Sequence, residues 1–240
     1  IEKCNREVLI VNLDPANENT GYKADIDVMD LIKLEDVMDT HELGPNGALV
    51  YCMEHLEVNF NWLSERLKGT DDKYILFDMP GQVELYTHHN CVRNILQELL
   101  KLKYNLCVVH LVDSHYCSEP HKFIATLLMA LTTMMQIGLP AVNVFSKGDE
   151  LKKFESKLDF NINFYTDVLN LNYLLDRLNE NEFTKKYRKL NEDIISIVED
   201  FGLVSFLILD WNNLATVVQL KNLVDKANGY VYGSGEERSL

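Results

Sequence analysis

The chain has 240 residues, of which 47% are apolar and 25% charged, and this composition suits one globular domain with a sizeable core. Its formal net charge of −14 argues against a nonspecific grip on nucleic acid, which needs a basic surface, but leaves room for a basic protein partner. The five cysteines are odd in number and contain no C-x-x-C pair, so a reducing compartment such as cytosol or nucleus is favoured over a disulfide framework.

Five short apolar runs predict β-strands buried on both faces, because each is nearly continuous in apolar residues rather than alternating. In chain order they are residues 7–13, 74–78, 106–113, 141–146 and 203–209. Helical patterns lie between or after them, at residues 48–67, 83–103, 119–138 and 214–227. Strands that alternate with helices predict an α/β fold with an open, doubly wound and mainly parallel sheet.

Two stretches differ from the other segments, one by its strongly apolar character and one by its polar helical character. Residues 123–139 are the longest apolar stretch, but they contain Thr and Gln and are at the short limit for a membrane span, so a buried helix is expected and no membrane contact. Residues 150–199 are polar and helical, and they predict a helical insertion within a single domain of residues 1–240. The insertion is either a cap on the sheet or a partner surface, because a fold alone does not decide function.

The first two strands each end in a carboxylate, at the sheet edge where doubly wound folds bind ligands. Asp14 can reach Mg²⁺ or a water placed for attack on a phosphoryl group, although Asp-Pro is also an ordinary turn. The second strand ends in Asp78-Met79-Pro80-Gly81-Gln82. Here Asp78 can hold Mg²⁺, Gly81 lets its backbone N–H approach a phosphate, and Gln82 can orient the attacking water.

The fourth strand ends in Ser146-Lys147-Gly148-Asp149, which fits the [ST]-K-x-D pattern that recognises guanine. One carboxylate can accept both donors of the guanine edge, whereas adenine lacks that donor pair. Alone, this tetrapeptide is equally a polar loop that opens a helix with Asp149 in its first turn. Because the three motifs occur in order at three strand ends, together they favour a guanine-specific nucleoside triphosphatase.

Two further groups of residues leave alternatives open. Gly44-Pro45-Asn46-Gly47 stands just before the first helical pattern, where it is either a plain turn or a rigid loop whose Asn46 amide donates to a phosphate oxygen. The four residues His110, His115, Cys117 and His121 lie close together in the sequence, and a zinc site is one interpretation of them. Their spacing is not one of the usual structural zinc patterns, so ordinary histidines are the favoured interpretation.

The chain resembles the GPN-loop GTPases, dimeric members of the P-loop hydrolases, over residues 8–240. The resemblance rests on VNLDPAN, GPNGALVYCME, FDMPGQVELYTHH, HLVDSHYC, FSKGD and VDKANGY. HLVDSHYC, FDMPGQVELYTHH and VDKANGY are most similar to the second eukaryotic paralogue of that family. Such a resemblance implies a P-loop NTPase-type fold, GTP and GDP as ligands and Mg²⁺ as cofactor.

The resemblance also implies roles for individual residues. Asp14 would serve magnesium or the attacking water, Asp78 would serve magnesium, and Gln82 would position the water. Gly44, Pro45 and Asn46 would project across a dimer, where Asn46 would stabilise the phosphate in the partner's site. The residues that would bind the guanine nucleotide are Ser146, Lys147, Gly148 and Asp149, with Gly81 at the phosphate.

Cellular expectations follow from the resemblance alone. The eukaryotic members are associated with assembly and nuclear import of RNA polymerase II, and of polymerase III. The implied partners are therefore polymerase subunits or assembly factors, together with a second GPN-loop GTPase in a homodimer or heterodimer, and no direct nucleic acid. The implied location is the cytoplasm, with shuttling to the nucleus.

The sequence departs from the family at one important place. It contains no G-x-x-x-x-G-K-[ST] segment, so the first strand and the phosphate loop are expected to be absent and this chain to be inactive as it stands. A non-catalytic scaffold or assembly adaptor is therefore the alternative function. Ala48 and Gly148 are smaller differences, and both positions are expected to tolerate change.

Overall fold

The computed structural model describes residues 6–17, 20–70, 72–154, 158–168, 170–180, 185–202 and 204–230. Contacts between Cα atoms divide the chain into two compact units, with residues 1–105 in the first and 106–231 in the second. The prediction of a single domain with an insertion stays a prediction.

The first unit contains a three-stranded parallel sheet in the order β2-β1-β3. Its strands are β1 (Val8–Asn12), β2 (Ile26–Asp27) and β3 (Tyr74–Asp78). Its helices are α1 (Leu34–His41), α2 (Pro45–Val58), α3 (Phe60–Arg66), α4 (Glu84–Thr87) and α5 (Cys91–Lys101). Helices α2 and α5 pack on each other through buried apolar side chains, so the core of this unit lies where their apolar faces meet.

The second unit contains another three-stranded parallel sheet, in the order β4-β5-β6. Its strands are β4 (Val108–Asp113), β5 (Ala141–Ser146) and β6 (Phe206–Ile208). Its helices are α6 (Pro120–Ile137), α7 (Gly148–Phe154), α8 (Ile162–Thr166), α9 (Asn172–Glu180), α10 (Arg188–Phe201) and α11 (Leu214–Asn228). The α/β class and the parallel pairing predicted from the sequence are therefore confirmed.

Burial of the strands follows the prediction only in part. Strand β5 is central in its sheet and has a buried run from Asn143 to Phe145, as expected for a strand covered on both faces. Strands β3 and β4 pair on one side only within the described residues, and they expose Leu76, Val109 and Leu111. Complete burial of all strands was therefore wrong for the two strands at these edges.

The prediction of a helix in the apolar segment at residues 123–139 is confirmed as far as Ile137, and one face of this helix is buried. Helix α6 starts with Pro120, whose fixed φ suits the first turn, and it ends at Gly138 in the left-handed conformation with φ 67°. Its buried Phe123 packs edge-to-face on Tyr165, with ring centroids 5.0 Å apart. None of the helices within the described ranges has the length and apolar character that a membrane crossing requires.

The predicted insertion contributes to the core of the second unit. Helices α9 and α10 pack on each other and on α6, and their buried leucine, isoleucine and valine side chains belong to the same apolar cluster as Phe123 and Phe145. Stacked rings of Phe145 and Phe206, 4.0 Å apart, join β5 to β6 in that cluster. The insertion therefore covers apolar surface, whereas its role as a partner surface stays a prediction.

Candidate functional site

The first group of candidate residues is assembled by the parallel pairing of β1 with β3. Asn12 and Asp78 are register partners at the last positions of the two strands. The pairing continues one step further, because the Leu13 N–H donates to the Asp78 carbonyl at 2.8 Å. Asp14 and Asp78 therefore leave the same edge of the sheet, as the motif order predicts.

Asp14 is held by a turn that its neighbours build. The fully buried Asn12 accepts from the Asp14 N–H at 3.1 Å and donates through Nδ2 to Asp27 at 3.2 Å. The Asp14 carboxylate accepts the Ala16 N–H at 2.9 Å. Burial raises the pKa of Asp14, the Ala16 hydrogen bond lowers it, and the charge of Asp78 raises it again, with a net increase. A carboxylate whose ionisation is disfavoured by burial and by a neighbouring carboxylate lies in a place suited to a cation.

Asp78 receives two side-chain donors that the sequence analysis missed. Asn17 donates through Nδ2 to Oδ2 of Asp78 at 3.2 Å, and the Tyr22 hydroxyl donates to the same oxygen. Partial burial raises the pKa of Tyr22, and the hydrogen bond to Asp78 raises it further, so the phenol stays protonated as a donor. Asn17 belongs to the quoted VNLDPAN motif, but nothing in the sequence pattern pointed to Tyr22.

The loop after β3 is tied to the helix that follows it. The Tyr86 hydroxyl, which α4 carries, donates to the Pro80 carbonyl at 2.7 Å. Burial raises the pKa of Tyr86, and the charges of Asp14 and Asp78 add to the effect. Gly81 is exposed, and a Cβ built there would meet no atom within 4 Å, so the chain itself does not require glycine at that position. Gln82 is half-buried and makes no side-chain hydrogen bond among the described residues.

The GPN segment is the first turn of a helix rather than a loop before one. Gly44 is the N-cap of α2, Pro45 occupies the first helical position, and Asn46 follows in the same turn. The four residues from Gly44 to Gly47 are exposed. Within the described part of the chain, no hydrogen bond joins them to Asp14 or Asp78. A helical first turn fixes the backbone of Asn46 and leaves its amide available to a ligand or partner.

The second group of candidates lies in the second unit, at the ends of β4 and β5. Asp113 and Ser146 are register partners there, and Ser146 donates through Oγ to the Val112 carbonyl at 3.0 Å. Lys147 has a left-handed backbone with φ 57°, and its Nζ lies 2.7 Å from Oδ2 of Asp113. A left-handed backbone at a residue other than glycine is strained, and it persists only where the surrounding structure imposes it. Such strain is common at functional sites.

Asp113 is a strand-end carboxylate that the sequence analysis quoted only inside HLVDSHYC. Burial raises the pKa of Asp113, but hydrogen bonds from Lys147 and from the His115 N–H outweigh that effect, and the pKa lies below its ordinary value. The hydrogen bond to Asp113 raises the pKa of Lys147 in turn. Ligands bind at the carboxyl ends of parallel strands, and this rule applies to β4 as it does to β1, β3 and β5. Applied to β4, it would have identified Asp113 as a candidate.

Gly148 and Asp149 begin α7 and differ sharply in their surroundings. A Cβ on Gly148 would lie 2.7 Å from Cγ2 of Ile208 and 2.9 Å from the Leu209 carbonyl oxygen, to which the Gly148 N–H donates at 2.8 Å. The expectation that position 148 tolerates change was therefore wrong, because β6 leaves no room for a side chain. Asp149 is exposed and makes no side-chain hydrogen bond among the described residues, so its carboxylate can accept from a ligand.

The histidine and cysteine candidates do not converge on a metal. Within the described ranges, no group of three or more His, Cys, Asp or Glu residues could hold a metal ion. His110 pairs through Nδ1 with Oδ1 of Asn143 at 3.2 Å, and His121 faces Glu119 at 3.2 Å. Cys52, Cys91, Cys107 and Cys117 are free thiols.

The chain thus has an α/β fold in which the motifs predicted to serve guanine-nucleotide chemistry lie at the ends of parallel strands. Comparison with known proteins specifies the family. A family model described as a conserved hypothetical ATP binding protein matches residues 1–230. GPN-loop GTPase 2 of Danio rerio is 49% identical over 240 residues, which are 100% of this chain and 77% of that protein. The GPN-loop GTPase 2 homolog of Dictyostelium discoideum is 46% identical over 98% of this chain and 74% of its own length.

The chain therefore belongs to the GPN-loop GTPases, and its similarity is to the second paralogue of that family. The crystal structure of a Pyrococcus abyssi GTPase in its apo form has the same fold, with a TM-score of 0.74 at 22% identity. That match covers 95% of this chain and 89% of the archaeal chain. The expected absence of a first strand and phosphate loop stays a prediction.

Proposed function

We propose that this protein binds GTP with Mg²⁺ and hydrolyses it as a dimer of GPN-loop GTPases. The observation that carries the proposal is the pairing of β1 with β3, which puts Asp14 and Asp78 at one sheet edge. Family membership supports the reaction class, since the relatives named above are GTPases. The non-catalytic scaffold or adaptor is the competing function.

Asp14 and Asp78 fit Mg²⁺ as a pair of carboxylates. Burial and the charge of Asp78 raise the pKa of Asp14, so a cation beside Asp14 would favour its ionised form. Two carboxylates suffice, because Mg²⁺ usually keeps several waters and takes its other ligands from substrate phosphates. When bound, the ion would neutralise charge on the β- and γ-phosphate oxygens.

The remaining site residues have distinct proposed tasks. Gln82 orients the attacking water through its amide, which can both accept and donate. Gly81 presents its N–H to a phosphate, and Tyr86 fixes the loop beside it by binding the Pro80 carbonyl. Asp149 accepts both donors of the guanine edge. Ser146, Lys147 and Gly148 shape the turn from which Asp149 projects.

Dimerisation completes the proposed site. Gly44 and Pro45 start α2 and hold Asn46 in an exposed first turn, which suits a residue that acts on a phosphate in the partner's site. The cellular role proposed from the family resemblance is assembly and nuclear import of RNA polymerase II and III, from the cytoplasm. Basic surfaces on polymerase subunits or assembly factors would suit a chain with a net charge of −14.

The test of the proposed function is hydrolysis by the full-length protein with GTP or ATP as substrate. We expect slow, Mg²⁺-dependent hydrolysis of GTP, and a loss of about a hundredfold or more in Asp78→Ala, since removing an electrostatic contact to transferring phosphate typically costs that much. Phosphate release is the measurement. Asp72→Ala is the matched control, because Asp72 is exposed just before β3. Equal rates in Asp78→Ala and the parent would remove the magnesium assignment and favour the adaptor.

A further inference from the structure

The hydrogen bonds to Asp78 are concentrated on one of its two carboxylate oxygens. Asn17 Nδ2 and the Tyr22 hydroxyl both donate to Oδ2. Among the described residues, none donates to Oδ1. Two donors that converge on Oδ2 from outside β3 restrict rotation of the carboxylate and leave Oδ1 as the oxygen with spare acceptor capacity.

Tyr22 lies in the segment of residues 20–25, which leads into β2. Thr20 donates through Oγ1 to the Tyr22 carbonyl at 2.6 Å. Three residues later, Asp25 is locked to β1, because its N–H donates to the Ile10 carbonyl at 2.8 Å and its carboxylate accepts the Ile10 N–H at 2.9 Å. Strand β2 then pairs with the end of β1. Tyr22 therefore lies between a local turn that Thr20 closes and a segment that is bound to β1, and this arrangement limits the directions that its side chain can take.

We propose that Tyr22 is a positioning residue for the Asp78 carboxylate. Its hydroxyl holds Oδ2 so that Oδ1 faces the cation or a cation-bound water, with Asn17 as the second, weaker donor. This inference rests on the proposed function, because it takes Asp78 as the magnesium residue. A phenol is suited to the task, since it donates one hydrogen bond to the carboxylate without adding a charge that would compete with the cation.

The experiment is a calorimetric titration of Mg²⁺ into the GDP-loaded full-length protein. We expect Tyr22→Phe to weaken Mg²⁺ binding about tenfold, the size of one lost hydrogen bond to a charged group, and Asn17→Ala to weaken it less. The matched control is Tyr51→Phe, which removes a hydroxyl that makes no hydrogen bond among the described residues. A second measurement follows GTP hydrolysis against Mg²⁺ concentration. Excess Mg²⁺ should restore the rate in Tyr22→Phe but not in Asp78→Ala.

The outcomes separate this inference from the proposed function beneath it. If Asp78→Ala weakens Mg²⁺ binding and Tyr22→Phe binds it as the parent does, the positioning role of Tyr22 is overturned while the magnesium site stands. If Asp78→Ala also binds Mg²⁺ as the parent does, the magnesium assignment itself is overturned. A Tyr22→Phe protein with a lowered rate that excess Mg²⁺ does not restore would show a structural role instead, and would equally overturn the inference.

Discussion

Gly148 and Asp149 are adjacent residues of the S-K-G-D motif, and the structure gives them opposite constraints. The side-chain position of Gly148 is blocked by Ile208 and by the backbone of Leu209. Asp149 is exposed at the start of α7. The motif predicts that this turn binds guanine, but it does not distinguish the two residues, because the pattern treats the third position as variable. Contact with β6, far along the chain, supplies the constraint on Gly148.

At Gly148, we expect Gly148→Ala to lower the free energy of unfolding by about 1–3 kcal/mol, the usual cost of forcing an extra methyl group into packed surroundings. Urea denaturation measures this difference. Gly21→Ala is the matched control, because a Cβ at Gly21 would meet nothing within 4 Å. Equal stability of the two variants would show that β6 moves aside at low cost.

At Asp149, we expect Asp149→Asn to weaken GTP binding about tenfold to a hundredfold, since the amide loses a charged acceptor and places a donor against the guanine donors. The same change should improve binding of xanthine nucleotide, whose edge offers an acceptor. Competition between the two nucleotides in a binding assay measures the switch. Asp176→Asn, an exposed change on α9, should leave both affinities unaltered. A loss for both nucleotides alike would contradict base recognition by Asp149.

At the scale of elements, the bounds of strongly apolar strands were predicted well, whereas a break within a long helical pattern was not predicted. Strands β3 and β5 have the predicted bounds, while the predicted helix at residues 48–67 is divided into α2 and α3 at Asn59. The Asn59 amide donates back to the His55 carbonyl at 2.9 Å, which ends α2 although the apolar spacing continues. Strand β2 escaped notice because it has only two residues, and its pairing with β1 defines it.

The pairing of β4 with β5 includes a titratable contact, His110 with Asn143. Burial lowers the pKa of His110 below its ordinary value of 6.5, and the hydrogen bond to Asn143 offsets this only partly. As pH falls through about 6.5, His110 binds a proton in the unfolded chain but stays neutral in the native state. The stability of the native state therefore decreases, until the pH falls below the lower native pKa of His110.

We therefore expect His110→Gln to lose less stability than the parent between about pH 8 and about pH 5.5. Thermal unfolding at the two pH values measures the difference. His88→Gln, a change at an exposed histidine, should retain the acid sensitivity of the parent. If the parent and His110→Gln lose stability equally, the burial of His110 does not control the acid response.

At the scale of the whole molecule, the family resemblance predicts a dimer in which Asn46 acts in the partner's site. Exposure of the first turn of α2 is compatible with that arrangement, and Pro45 stiffens the turn without losing a helical hydrogen bond. An isologous pair would present two copies of the turn, each to the other protomer.

We expect mixed dimers to reveal action in the partner's site. Asn46→Ala and Asp78→Ala proteins should each be nearly inactive. After random exchange of protomers, about half of the dimers are mixed, and each mixed dimer has one complete site out of two. Mixing should therefore restore about a quarter of the parent activity. Phosphate release after mixing is the measurement, and Asn46→Ala mixed with itself is the control. No recovery in protomers shown to exchange would place Asn46 in its own site.

The sequence alone determined the α/β class, the order of the motifs and the family, because buried parallel strands have continuous apolar runs and the motifs after them together resemble those of one family. Tertiary structure decided what lies beside those residues. Tyr22 reaches Asp78 only because β2 returns beside β1, and Gly148 is obligatory only because β6 pairs next to β5. Contacts between residues far apart in the chain depend on strand pairing and packing, and no local pattern records them.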